Sequence, residues 1–152
     1  MILNASLSTF QECKAEKALK ALAKLTLPKC VVRRNNQIQE INVNELTVGD
    51  ILLLKEGDSV AADIRLIKTS SLLIDESSLT GESIAVLKDE DVVLTDTTPL
   101  AEQKNMAFMS TSVLSGNGEG IVTNIGMNTQ IGKIASLLDK KKKTTSPLQK
   151  KL

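Results

Sequence analysis

DILLLKEGDSVAADIRLIK occupies residues 50–68, and its two halves follow different rules. Residues 51–54 form an unbroken apolar run, the pattern of a continuous apolar strand. Residues 63–68 alternate, with Ile64 and Leu66 on one side and Arg65 on the other, the pattern of a half-buried strand. Glu56-Gly57-Asp58 between them is turn chemistry. A period of two, broken by glycine turns, recurs on both sides of this stretch. CVVRR (30–34), Asn35-Asn36 and QIQEINV (37–43) read as a hairpin, because asparagine tolerates the positive φ of a tight turn. LLID (72–75), VVL (92–94), MAFMSTSVL (106–114) and IVTNI (121–125) read as further strands, with SGNGEG (115–120) as a glycine-rich turn.

Helical periodicity is confined to the two ends. Ala15, Ala18, Leu19, Leu22 and Leu25 share one face of a helix over 9–25, ended by Pro28. Near the other end Asn128-Thr129 caps a helix with Ile131, Ile134, Leu137 and Leu138 on one face, and the lysine run beyond it reads as a linker. About eight short strands with no helix between them predict a mostly β fold. The expected form is a distorted jelly-roll or β-sandwich core of short strands with flanking N- and C-terminal helices. The expected divisions are a helical extension over 1–27, a β-rich core over 28–128, and a helix with a lysine-rich linker over 129–152.

Composition removes whole classes of function. The 152-residue chain has no histidine, so Ser-His and Cys-His nucleophile pairs and imidazole metal sites are excluded. Cys13 and Cys30 lack metal-ligand spacing and read as reduced thiols. Aromatic residues are 1%, which argues against base-stacking surfaces. Lys140–Lys143, Lys150 and Lys151 are six of 19 basic residues, leaving 13 against 18 acids in residues 1–139, a net of −5. An acidic body with a basic tail is not a nucleic-acid-binding arrangement. No stretch approaches the 18 apolar residues of a complete membrane helix, and MILNASLSTF lacks the basic and apolar regions of a signal peptide.

IDESSLTGESIAV (74–86) is the chemically loaded segment. Loops rich in Ser, Thr, Asp and Gly are ordinarily plain turns. Here Gly81 removes a Cβ just before Glu82, so the backbone can approach another surface closely. Thr80 and Ser83 flank the pair and can pin the loop through side-chain-to-backbone bonds. Glu82 is then a carboxylate at the tip of a stiffened turn, a geometry suited to orienting one water as a general base. Asp75 and Glu76 either brace this loop or are simply solvated. Asp50, Asp58 and Asp63 read as caps on backbone amides, Arg65 as an exposed strand residue, and Met106 and Met109 as core filler.

DESSLTGES (75–83) resembles the signature loop of the actuator domain of P-type cation-transporting ATPases. The likeness extends along the chain. LTVGDILLLKEGDSVAADIRLI (46–67) is similar to the family's G-D-I…G-D…A-D-x-R run, and residues 105–135 resemble its second half. QECKAEKALKAL (11–22) resembles the cytoplasmic extension of the second membrane helix, and SPLQKKL (146–152) the approach to the third. The forms look most like the type II pumps, the calcium branch first. Val48, Ala61 and Ala85 stand where the family usually has proline, each loosening a turn by about 0.4–1 kcal/mol.

The resemblance implies a cytoplasmic domain of an integral membrane protein that acts on an aspartyl phosphate carried by a separate domain. Carried over residue by residue, Glu82 would position and activate the attacking water. Gly81 would let the loop pass close to the phosphoryl group, and Thr80 and Ser83 would hold the loop's shape. It further implies that this domain binds no cofactor or metal itself, while the whole pump uses ATP and Mg2+. The implied partners are the phosphorylation and nucleotide-binding domains of the same pump, and its membrane helices through both linkers. The isolated chain is expected to hydrolyse nothing, because the DKTGT motif and a nucleotide pocket are absent from it. The alternative is a non-catalytic β-rich binding module whose hydroxyl-rich loop is only a turn.

Overall fold

In the computed structural model, residues 14–20 and 28–145 are described. Residues 14–20 are helical (α1), with the i,i+4 pair Glu16–Lys20 at 3.6 Å. The rest of the expected first helix, Cys13 and the 146–152 segment lie outside the described residues.

Seven strands follow: β1 (Lys29–Arg34), β2 (Gln37–Asn42), β3 (Ile51–Lys55), β4 (Asp63–Asp75), β5 (Val86–Leu87), β6 (Met106–Ala107) and β7 (Ser112–Asn124). A short helix, α2 (Ser77–Thr80), lies between β4 and β5, and α3 (Gln130–Thr145) ends the described chain. The strands form one sheet in the order β2-β1-β3-β7-β4-β5, with β6 beside β4, and every pairing is antiparallel. The chain is mostly β with flanking helices, as its periodicity predicts.

Alternation decides what is inside. Leu52 and Leu54 of β3, Ile64, Leu66, Leu72 and Ile74 of β4, and Val113 and Val122 of β7 are buried in one cluster with Val32 of β1. Each is worth about 1.5–3 kcal/mol in area removed from water. Asn35 and Asn36 both take positive φ, 52° and 60°, closing the β1–β2 hairpin as expected.

Several expected elements differ. DIRLIK and LLID are one 13-residue strand, β4, not two. Its register against β7 shifts at four points, which bends and twists the strand so that it serves the core at both ends. SGNGEG is not a turn but the middle of β7. There the glycines permit close strand contact. A Cβ on Gly116 would lie 2.2 Å from the Ser71 carbonyl oxygen, and one on Gly120 would lie 2.9 Å from that of Arg65. Ser71 itself has φ 47°, marking the bend on the opposite strand. VVL (92–94) is irregular, and MAFMSTSVL breaks into β6 and β7 at a turn around Met109-Ser110. The lysine run Lys140–Lys143 continues α3 rather than leaving it.

The start of α3 is locked to the sheet. Thr129 Oγ1 accepts from the Gly132 N–H at 3.1 Å, the bond of an N-cap threonine. Buried Asp63, the first residue of β4, accepts from the Met109 N–H at 2.9 Å and the Gln130 N–H at 2.8 Å. Asp58 accepts from the Lys55 N–H at 3.0 Å, and Asp50 from the Thr47 N–H at 2.9 Å. All three aspartates therefore cap amides, as read from sequence. Arg65 is not an exposed strand residue. Its half-buried guanidinium donates to the carbonyls of Leu66, Glu90 and Asn105, tying the long β5–β6 connection to the sheet.

Candidate functional site at the Thr80–Ser83 loop

The loop leaves β4 at Asp75 and returns as β5, where Val86 and Leu87 pair with Ile74 and Leu73. It is thus the tip of a hairpin built on the sheet's edge. Asp75 Oδ1 accepts from the Ser77 N–H at 2.9 Å, and this turn launches α2. Its bonds hold the Asp75 carboxyl below the usual carboxylate range. The Glu76 carbonyl accepts from Leu79 N–H at 3.0 Å and Thr80 N–H at 2.9 Å. One turn later the helix stops, because Gly81 takes the left-handed conformation, φ 76° and ψ −1°, while its N–H bonds to the Ser77 carbonyl.

Thr80 holds the next step. Its hydroxyl donates to the Glu76 carbonyl at 3.1 Å and accepts from the Glu82 N–H at 3.3 Å. Ser78 ties the helix sideways to the Ser110 carbonyl at 2.7 Å. Ser83 is exposed, and its hydroxyl has no hydrogen-bond partner among the described residues. Of the four loop residues singled out from sequence, Thr80 and Gly81 shape the turn, while Glu82 and Ser83 project from it. The Glu82 carboxylate is exposed and makes no hydrogen bond or ion pair among the described residues. A Cβ on Gly81 would meet nothing within 4 Å, so the space beside Glu82 is open.

Beneath the loop lies a pair that sequence spacing does not reveal. Glu76 and Lys88 are both fully buried and form an ion pair. Lys88 also reaches the Gln103 carbonyl at 3.4 Å and lies 5.7 Å from the centre of the Phe108 ring. Burial pushes the Glu76 carboxyl above its ordinary range, opposed by Lys88. Burial pushes the Lys88 ammonium below its own range, opposed by Glu76. Glu76 is therefore not a solvated loop acid. The two residues are neighbours only because β5 folds back on β4, which no local repeat in the sequence announces.

The loop is thus a braced turn that presents an exposed carboxylate from a β-rich domain. The family described as the P-type ATPase actuator domain matches residues 24–139, and the chain belongs to it. Among its relatives, Calcium-transporting ATPase 1 of Bacillus cereus is 46% identical over 156 residues, covering 100% of this chain and 18% of the relative. The Calcium-transporting ATPase of Bacillus subtilis is 41% identical, with 100% and 17% covered. The P-type sodium-transporting ATPase4 of Plasmodium falciparum is 42% identical, with 97% and 12% covered. The chain thus spans less than a fifth of the length of these relatives. The crystal structure of a zinc-transporting PIB-type ATPase shares the fold, with a TM-score of 0.61 at 22% identity over 86% of this chain and 20% of that one. Family membership favours the actuator reading over that of a non-catalytic β-rich binding module.

Proposed function

We propose that this chain is the actuator domain of an ATP-driven cation pump of the calcium type, and that its Thr80–Ser83 loop promotes hydrolysis of an aspartyl phosphate on a separate domain. The observation that carries this reading is Glu82: an exposed carboxylate without a partner among the described residues, on a turn whose other two acids are engaged. Hydrolysis of an acyl phosphate needs a water aligned with the phosphorus and a base for its proton. Glu82 would orient that water and take the proton, while phosphate leaves the aspartate oxygen. Gly81 would let the backbone close on the phosphoryl group, and Thr80 would keep Glu82 from swinging away. Ser83 would contribute at the contact itself, where its hydroxyl is available to the partner domain.

The domain's second task is mechanical. Rotation of the rigid sheet would pull on the membrane helices through both ends of the chain, a rigid-body switch that couples phosphate loss to the ion gates. The Asp63–Gln130 cap suits α3 to transmit that movement. ATP and Mg2+ would be bound by the pump's other domains. Relatives named for calcium and for sodium match this chain at similar identity, which supports placing the choice of ion elsewhere in the pump.

The test is chemical. The full-length protein, given ATP, is expected to form a phosphoenzyme that survives acid and is released by hydroxylamine, the behaviour of an acyl phosphate. A protein that forms no such species is not a pump of this kind.

A further inference from the structure

The ion pair under the loop suggests a role beyond stability. Glu76 stands where the chain enters the loop and Lys88 where it leaves, twelve residues later. Their contact closes the hairpin at its base. Everything that orients Glu82 is then referred to Glu76: its carbonyl holds both the N–H and the hydroxyl of Thr80, and that hydroxyl holds the Glu82 N–H. The Glu76 side chain has a single fastening. Its Oε1 meets Lys88, and its buried Oε2 has no hydrogen-bond partner among the described residues. Lys88 is in turn fixed to the body of the domain. Its N–H bonds to the Leu72 carbonyl at 2.8 Å, and its ammonium reaches the Gln103 carbonyl over the Phe108 ring.

We propose that Glu76 and Lys88 are positioning residues for Glu82, a buried clamp that sets where the loop's carboxylate stands when the loop meets the phosphoryl group. The proposal rests on the role given to Glu82 above. Neither residue touches the reacting atoms. Each acts through the backbone of α2 and through Thr80. A plain hydrophobic contact at this place would fill space equally well, but would not fix the Glu76 backbone against rotation about the end of β4. A charged contact with one good geometry does. Positioning of this kind is where a displacement of about 1 Å costs roughly a hundredfold in rate.

The experiment is a double-mutant cycle in the full-length pump, reading phosphoenzyme level and phosphoenzyme decay. The pair is replaced by uncharged side chains of similar size, Glu76→Gln with Lys88→Met, so that no lone charge is left buried. The phosphoenzyme should form to the wild-type level and decay roughly ten- to a hundredfold more slowly. In the Glu82→Gln background the same pair should add no further slowing, because the group it positions is already gone. General loosening of the fold would act regardless of Glu82 and slow decay in both backgrounds. Should the double variant fail to fold, Glu76→Asp draws the carboxylate back by one methylene and should slow decay by a few-fold, again only with Glu82 present. Wild-type decay in the pair variant, or equal slowing in both backgrounds, overturns the clamp while leaving the role of Glu82 intact. Wild-type decay in Glu82→Gln alone overturns both, and the two failures are thereby told apart.

Discussion

Asp63 and Gln130 join the first residue of β4 to the first residue of α3 through a 2.8 Å hydrogen bond. The same carboxylate holds the Met109 N–H at 2.9 Å. Asp63 is buried, so both donors lose their partner if it is truncated. Asp63→Ala is expected to destabilise the fold by about 3–5 kcal/mol, since bonds to a charged group contribute more than neutral ones and two half-buried amides lose their acceptor together. Asp63→Asn keeps one acceptor and should lose roughly half as much. Urea denaturation midpoints check both. A loss below about 1 kcal/mol for Asp63→Ala would mean that α3 is not anchored here.

Two glycines with left-handed backbones should lose stability to very different extents on the same substitution. Gly116→Ala places a Cβ 2.2 Å from the Ser71 carbonyl, in addition to its φ of +75°. The strands must separate, and a loss above about 4 kcal/mol or failure to fold is expected. Gly81→Ala has φ +76° but meets nothing within 4 Å. Its cost should be the left-handed strain alone, about 1–2 kcal/mol. Gly81→Ala in the full-length pump should nevertheless slow phosphoenzyme decay, because the added methyl stands beside Glu82 at the surface that must close. Stability and decay measured on both variants separate the two roles.

Arg34 and Asp50 give the fold a defined response to acid. The two bonds from Arg34, at 2.9 and 2.6 Å, are the main reason the Asp50 carboxyl falls from its ordinary 3.8 to about 2. A lowered folded value means that the unfolded chain binds the proton first. The stabilisation is therefore complete above about pH 4 and is lost as the pH falls toward about 2. Asp50→Asn should cost about 1 kcal/mol near neutrality, with solvent at the half-exposed guanidinium keeping the figure small. The difference from wild type should shrink between about pH 4 and 2. A difference that stays constant over that interval would assign Asp50 no ionic role.

Much of this architecture is legible in the sequence because alternation has few competing meanings. Ile64 and Leu66 point inward as their period predicts, and Leu52, Leu54, Leu72 and Ile74 from the apolar runs join them in the core. Asn35-Asn36 and Thr129 announce a hairpin and a helix start through conformations and bonds that need only neighbouring residues. The errors share one physical source, contact between segments distant in sequence. Gly116, Gly118 and Gly120 look like turn residues because glycine more often serves a turn. Here they serve close passage of β7 past β4. Arg65 looks exposed because its strand alternates, but the β5–β6 connection folds over it and offers three carbonyls. At the candidate site, Thr80, Gly81, Glu82 and Ser83 stand out by composition. Lys88 does not, because its tie to Glu76 exists only once the hairpin closes.

Phosphoenzyme decay in the full-length pump carrying Glu82→Gln tests the central claim most directly. The pump is labelled with ATP and then chased with unlabelled nucleotide. The substitution keeps the side chain's size and removes its ability to take a proton. The phosphoenzyme should form to the wild-type level and then persist, its decay slowed at least about a hundredfold, the range lost with a general base. Decay at the wild-type rate would contradict the account, since the exposed carboxylate at the tip of this loop would then have no part in removing the phosphate.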